Sequence, residues 1–334
     1  MGDVAMTVPV LAALQNQHPD VKITVLTRAF FTPLFLHLPN VEVFEADLKG
    51  KHKGIFGLWR LYREVKSLKI GAVADLHHVL RTNLLKLFFG FNGTPYYQID
   101  KGRKEKRALT ASKNKVFIPL KTTHQRYVDV FVRMGLAFTL ESASPPIPQP
   151  IPRKLGTILG SKEQQWIGIA PFAAFRGKTY PLDMMQVVIG LLNKSHKYKI
   201  FLFGGGSGEQ VKLDRVSQAC NCYNMAGHFS LAEELALISN LDLMVSMDSG
   251  NAHLAAIFGI PTITLWGVTH PYAGFYPFGQ DLSMALLAER ERFPLIPTSV
   301  YGNKTPPGYE KAIMGITPQR VFEKITGVLE KGST

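Results

Sequence analysis

Asp248-Ser249-Gly250-Asn251-Ala252-His253 stands between an apolar run, LDLMVSM (241–247), and a helical pattern over 250–258. At such a junction Ser249 suits an N-cap, and Gly250 lets the backbone approach a ligand. The first-turn N–H groups have no acceptor inside the helix and point outward. Together they form an anion site suited to a diphosphate. Asp248, at the strand's end, would face sugar hydroxyls, and His253 would orient Asp248 or reach a phosphate. The same residues also read as a capped helix with a structural histidine.

Two more loops follow strand-like runs. After WIGIAPF (166–172), Arg176 and Lys178 flank Gly177, which suits a phosphate clamp or simply two solvated charges. After KIFLFGG (199–205), the turn FGGGSGE places Glu209 where it could accept from ribose hydroxyls. It lacks the G-x-G-x-x-G spacing, and no G-x-x-x-x-G-K-[ST] loop occurs, so the glycines also read as a tight turn. At the other end of the chain, Asp3 opens a helical segment (roughly 4–16). The helix dipole keeps a carboxylate there ionised. It reads equally as a general base or as an N-cap.

The elements that must position these residues alternate strand and helix. VKITVLT (21–27) and VEVFEA (41–46) read as strands, and 57–69 as a helix. IGAVADLHH (70–78) is strand-like and runs into the helical VLRTNLLKLFF. Residues 141–154 hold five prolines and read as an extended interdomain linker. Beyond them come the strand at 166–172, a helix from about 182, the strand at 199–205, a helix over 208–219 and a short strand near 222–226. The helix SLAEELALISN, the strand 241–247, the helix 250–258 and the strand PTITLWG follow. A last helix opens with Thr317 as N-cap and Pro318 at its first position. This alternation predicts two doubly wound α/β halves with ligands at strand carboxyl ends. The expected divisions are 1–145, 146–315, and a C-terminal helix over 316–334 that packs back on the first half. A strand normally opens such a half, and none is read ahead of Asp3; the expectation is either a fold without that strand or a truncated chain.

Charge is uneven. The chain of 334 residues carries a formal net charge of +13. Residues 1–150 hold 21 Lys and Arg against 11 Asp and Glu, the remainder 17 against 14. The excess concentrates at 49–69 and at 101–107. A basic half implies an anionic partner or a solvated face. Phe56, Trp59 and Tyr62 lie among the first cluster at helical spacing and read as a core face rather than as a nucleic-acid platform. Cys220 and Cys222 are too few for a zinc site. No secretory signal is read at Met1-Gly2-Asp3-Val4, and no apolar run reaches the roughly 20 residues that span a bilayer.

Four stretches, GDVAMTVPVLAAL, APFAAFRGKTYP, FGGGSGE and GHFSLAEELALISNLDLMVSMDSGNAHLAAIFGIPTITLWGVTHP, together resemble the ADP-heptose heptosyltransferases of lipopolysaccharide assembly. The last combines D-[ST]-G-x-x-H with G-x-P-x-[IV]-x-[LIV]-[WY]-G and is the most specific. The matches run from residue 2 to residue 271. The resemblance implies a GT-B fold of two Rossmann-like domains facing a central cleft, and an inverting, metal-independent glycosyltransferase that moves a heptose from ADP-heptose. It implies that Asp3 is the base, that Lys178 grips the diphosphate with Arg176 beside it, and that Ser249 and Gly250 bind phosphate. Asp248 and His253 then lie by the donor sugar, Glu209 on the ribose and Phe229 beside adenine. Ala173 and Ala174 stand where the family usually has hydroxyl residues, and Phe229 is not the common residue at its site.

The acceptor implied is an anionic, lipid-linked glycan of lipopolysaccharide type, with Arg81, Arg103 and Lys104 as candidate contacts. The donor is a substrate, and no cofactor and no nucleic-acid partner is expected. The place implied is the cytoplasm, with peripheral contact at the inner membrane surface. Two alternatives stay open: the same fold with another nucleotide-sugar donor, and a non-enzymatic nucleotide- or polyanion-binding protein. An oxidoreductase or epimerase would need the dinucleotide fingerprint that is absent.

Overall fold

The computed structural model describes residues 1–331. Its contacts divide the chain into two compact units: Met1, Asp3–Gly102 and Lys121–Ser144 form the first, and Gly2, Arg103–Leu120 and the described residues from Pro145 on form the second.

In the first unit, β1 (Ile23–Thr27) pairs in parallel with β2 (Val41–Glu45), and β3 (Val73–Asp75) with β4 (Tyr96–Gln98). The two ladders are separate sheets. No residue of β1 or β2 is fully buried, and Leu26 is 37% exposed. The apolar core lies instead between the helices Gly54–Ser67 and Leu80–Gly90, which pack Leu58, Leu61, Tyr62 and Val65 against Leu85 and Phe89. The spacing of the first four puts them on one helical stripe. Phe56 departs from the expected core face. It is 90% exposed, and Trp59 is 43% exposed, although Trp59 meets Phe88 edge to face. The core cluster reaches only to the second turn of that helix and leaves the first turn uncovered.

The segment read as one helix near 4–16 forms two, Gly2–Ala5 and Thr7–Gln17. Asp3 lies inside the first of these rather than at its N-cap.

The second unit carries one six-stranded, all-parallel sheet in the order β10-β9-β8-β5-β6-β7. Its strands are β5 (Gln165–Ala170), β6 (Tyr198–Leu202), β7 (Tyr223–Asn224), β8 (Leu243–Met247), β9 (Thr262–Trp266) and β10 (Ala285–Leu287). Every residue of β8 and β9 is buried, as expected for strands covered by helices on both faces. Strand order reverses between β5 and β8. In an open parallel sheet that is where a crevice forms outside the carboxyl ends.

Two placements differ from the sequence reading. Residues 103–120 belong with the second unit, because Leu120 N–H donates to the Tyr272 carbonyl and Lys115 Nζ to that of Pro297. The C-terminal helix Pro318–Lys331 packs on the helix Leu182–Asn193 and buries Val321, Ile325 and Leu329 in the second unit's core. Its apolar stripe, Val321, Ile325 and Leu329, is spent on that core. Its start is as read: Arg320 N–H donates to the Thr317 hydroxyl at 3.2 Å. Residues 332–334 of the expected 316–334 stretch lie outside the described residues.

Candidate functional site

The loop after β5 and the turn after β8 meet at the point where strand order reverses. Lys178 Nζ lies 2.9 Å from Asp248 Oδ2, with 12% and 9% of the two side chains exposed. Asp248 Oδ2 also accepts from the Thr269 hydroxyl at 2.8 Å. The carboxylate is therefore engaged by protein groups, and it orients Lys178 as much as it faces any sugar.

Lys178 owes its position to close packing. The turn Arg176–Lys178 is a single 3-10 turn whose Gly177 carbonyl accepts from Val268 N–H at 3.0 Å. A Cβ on Gly177 would come within 2.7 Å of Val268 and Thr305 side-chain atoms, so only glycine lets the turn lie this close. Tyr180, fully buried, ties the turn's exit to the Ile316 carbonyl at 2.6 Å. On the other side Gly302, at φ +82°, presents bare backbone to the Lys178 stem, where a Cβ would overlap Lys178 Cγ and Cδ. Arg176 is exposed.

The helix Gly250–Ile257 starts directly beside this pair. Ser249 occupies the N-cap position without capping through its side chain; its hydroxyl lies 3.1 Å from that of Ser246. The first-turn amides stay open for an anion, and Ser249, Gly250 and Asn251 are only partly buried. His253 is 7% exposed, and its Nδ1 has no hydrogen-bond partner among the described residues. A buried polar atom left unpaired costs stability and marks a place where a ligand can supply the missing bond. Burial, reinforced by the Lys178 charge, pushes the His253 imidazole down to about 4. It is neutral at pH 7 and can donate or accept one hydrogen bond.

The remaining donor candidates lie beyond the ends of β6 and β7. Glu209 Oε2 accepts from Gly205 N–H at 2.7 Å, so the glycine-rich turn is braced by the acid itself. The other Glu209 oxygen has no partner among the described residues. The Phe229 ring is covered by Lys154, whose Nζ lies 4.6 Å from its centroid, and Lys154 also donates to the His228 carbonyl. A cavity of about 560 Å³ opens beside them, lined in part by Lys154, Asp214, Tyr223, His228 and Phe229. Lys154 was not legible as a site residue, because the linker composition around it carries no helical or strand signal.

In the first unit, Asp3 is exposed, and among the described residues its carboxylate has no hydrogen-bond partner. The Tyr127 hydroxyl donates to its backbone carbonyl at 3.3 Å. At the carboxyl end of β3, buried Asp75 accepts from His77 N–H and His78 N–H. His77 is held below its usual value, first by burial, while Asp3 pulls the other way. Asp75 and His77 were passed over because DLHH read as the tail of a strand. Of the acceptor candidates, Arg81 lies in the first unit, while Arg103 and Lys104 lie on the helix Arg103–Leu109 of the second. All three are exposed.

A model of glycosyltransferase family 9 (heptosyltransferase) matches residues 59–293, more than half of the chain. The lipooligosaccharide heptosyltransferase 2 of Haemophilus influenzae is 28% identical over 353 residues, covering 99% of this chain and 97% of that protein. Among solved structures, a family 9 glycosyl transferase from Veillonella parvula superposes with a TM-score of 0.76 at 20% identity, covering 99% and 95% of the two chains. The E. coli ADP-heptose lipopolysaccharide heptosyltransferase II gives 0.68 at 20% identity, covering 99% and 96%.

Proposed function

This chain belongs to glycosyltransferase family 9, the heptosyltransferases, and from that premise we propose an inverting transfer of heptose from ADP-heptose to an anionic glycan of lipopolysaccharide type. The observation that carries the donor half is the meeting of Lys178, the open amides at Ser249-Gly250 and the unpaired His253 Nδ1 at the carboxyl ends of β5 and β8. A diphosphate there would accept from Lys178 and the helix N-terminus, and those groups stabilise the charge that builds on the leaving group. Glu209 takes the ribose and Phe229 flanks adenine. The names of the relatives, which specify heptose and, for the E. coli enzyme, ADP-heptose, support the choice of sugar and base.

In this reading the displacement is a single in-line step. Asp3 takes the acceptor proton, and the anomeric carbon passes through an oxocarbenium-like state, as in inverting glycosidases. Lys178 and the helix amides carry the phosphate charge that a divalent ion carries in other transferases, so turnover should survive EDTA. The acceptor is a lipid-linked anionic glycan, approached from the cytoplasm at the inner membrane surface. Supporting that surface contact, Ile55 and Phe56 stand exposed on one helix with Lys53, Arg60 and Arg63 around them. Among the described residues no helix is long and apolar enough to cross a membrane.

Calorimetric titration with ADP, UDP and GDP tests the donor. ADP should bind at least tenfold more tightly than either, and Phe229→Ala should narrow the gap. Tighter binding of UDP would move the chain to another donor, the closest competing reading.

A further inference from the structure

The segment 103–120 brings a second group of cations into the second unit, separate from Lys178. Phe117 packs against His270 and Tyr272, with ring centroids 4.9 Å away in each case. The Arg290 guanidinium lies over the same ring, its central carbon 3.3 Å from the centroid. Arg290 Nε donates to the Ile296 carbonyl at 3.0 Å. Lys115 Nζ donates to the next carbonyl, Pro297, at 2.9 Å, and to Leu109 at 2.9 Å. Two cations thus hold consecutive carbonyls of one turn, and the buried His270 stands on the same ring.

Among the described residues no carboxylate answers this charge. Neither Lys115 nor Arg290 pairs with an acid among the described residues, and Glu289, the neighbour in sequence, lies against Arg292 at 3.6 Å. Two direct consequences are visible. The Lys115 ammonium is held below its usual value by burial and then by Arg290, and His270 is pushed down to about 4 by the same two causes in the same order. Among the described residues the Arg290 Nη1 and Nη2 groups have no acceptor, although the Phe117 contact and the Nε bond hold the guanidinium in place. A guanidinium oriented in this way is a prepared fork for a two-oxygen anion.

We propose that Lys115 and Arg290, stacked on Phe117, form a second anion site that takes an oxyanion, phosphate or carboxylate, carried by the sugar acceptor. The acceptor's part in this rests on the transferase reading above, whereas the anion site itself does not. Its place relative to the donor residues supports the assignment. Thr269, one residue before His270, donates to Asp248. The turn that Lys115 and Arg290 grip continues through Thr298, bonded to the Val268 carbonyl, to Gly302 against the Lys178 stem. An anion here would lie by the turns after β9 and β10, whereas the diphosphate residues lie after β5 and β8.

The experiment titrates the full chain, first saturated with ADP, with inorganic phosphate and with glucose 1-phosphate. Wild type should bind both at low ionic strength, with the sugar phosphate tighter. Arg290→Gln and Lys115→Gln should each weaken both at least tenfold while the ADP affinity stays within twofold. Where Arg290→Gln fails to fold, Lys115→Gln carries the same test. Phosphate that binds equally to wild type and variants, or that binds only in place of ADP, overturns the site. Equal binding of free phosphate and sugar phosphate overturns the acceptor assignment. A failure of ADP to bind would instead sink the donor reading and leave the phosphate arm readable in the apo chain.

Discussion

Lys178 and Asp248, 70 residues apart in sequence, form an ion pair with 2.9 Å between Nζ and Oδ2 and almost no solvent access. Removing one member of such a pair strands the other charge in a low dielectric, which costs about 3–5 kcal/mol. Lys178→Met should lower the urea midpoint accordingly and weaken ADP at least tenfold. The double variant Lys178→Met with Asp248→Asn should recover much of the stability and none of the ADP affinity. Parallel denaturation and calorimetry check both halves. A single variant as stable as wild type would mean that the pair is solvated.

Asp3→Asn keeps the size of the side chain and removes its basicity. Turnover should drop by roughly 10²–10⁴, the range for loss of a general base. The ADP dissociation constant should not move. Loss of ADP affinity in step with turnover would make Asp3 a binding residue.

Acid should destabilise the second unit in a defined window. His253 and His270 are both depressed to about 4, while in the unfolded chain an imidazole titrates near 6.5. Between those values the unfolded state holds more protons. The contribution of each buried neutral ring is therefore full above about pH 6.5 and is lost as pH falls toward 4, at up to about 1.4 kcal/mol per pH unit for each ring. Urea midpoints measured from pH 7 to pH 4.5 should fall more gently for His253→Gln than for wild type. Superimposable slopes would show that His253 protonates freely in the folded chain.

Gly302 should not tolerate a side chain. Its φ of +82° disfavours any L-residue, and a Cβ would press on the Lys178 stem. Gly302→Ala should cost more than about 1 kcal/mol of stability. It should also raise the ADP dissociation constant severalfold by displacing the ammonium, which isothermal titration would read. An unchanged ADP affinity would show that the loop plays no part in holding Lys178.

Much of this protein is written in local pattern. The 3.6 and 2.0 periodicities mark most of the strands and helices from 166 to 331, and D-S-G-x-x-H announces an open helix N-terminus, because both depend on neighbours within a turn or two. The weak parts have the same origin. β4 and β10 span three residues each, too few for a period to show. Local pattern could not say that Asp248 would clasp Lys178, since that follows from β5 lying beside β8 rather than only beside β6. Nor could it show that residues 103–120 join the second unit, or that Arg290 would stack on Phe117 with no acid paired to it among the described residues. Those outcomes depend on which strand ends and turns the sheet order brings together and on which charges that packing leaves unanswered, and both are properties of the assembled core.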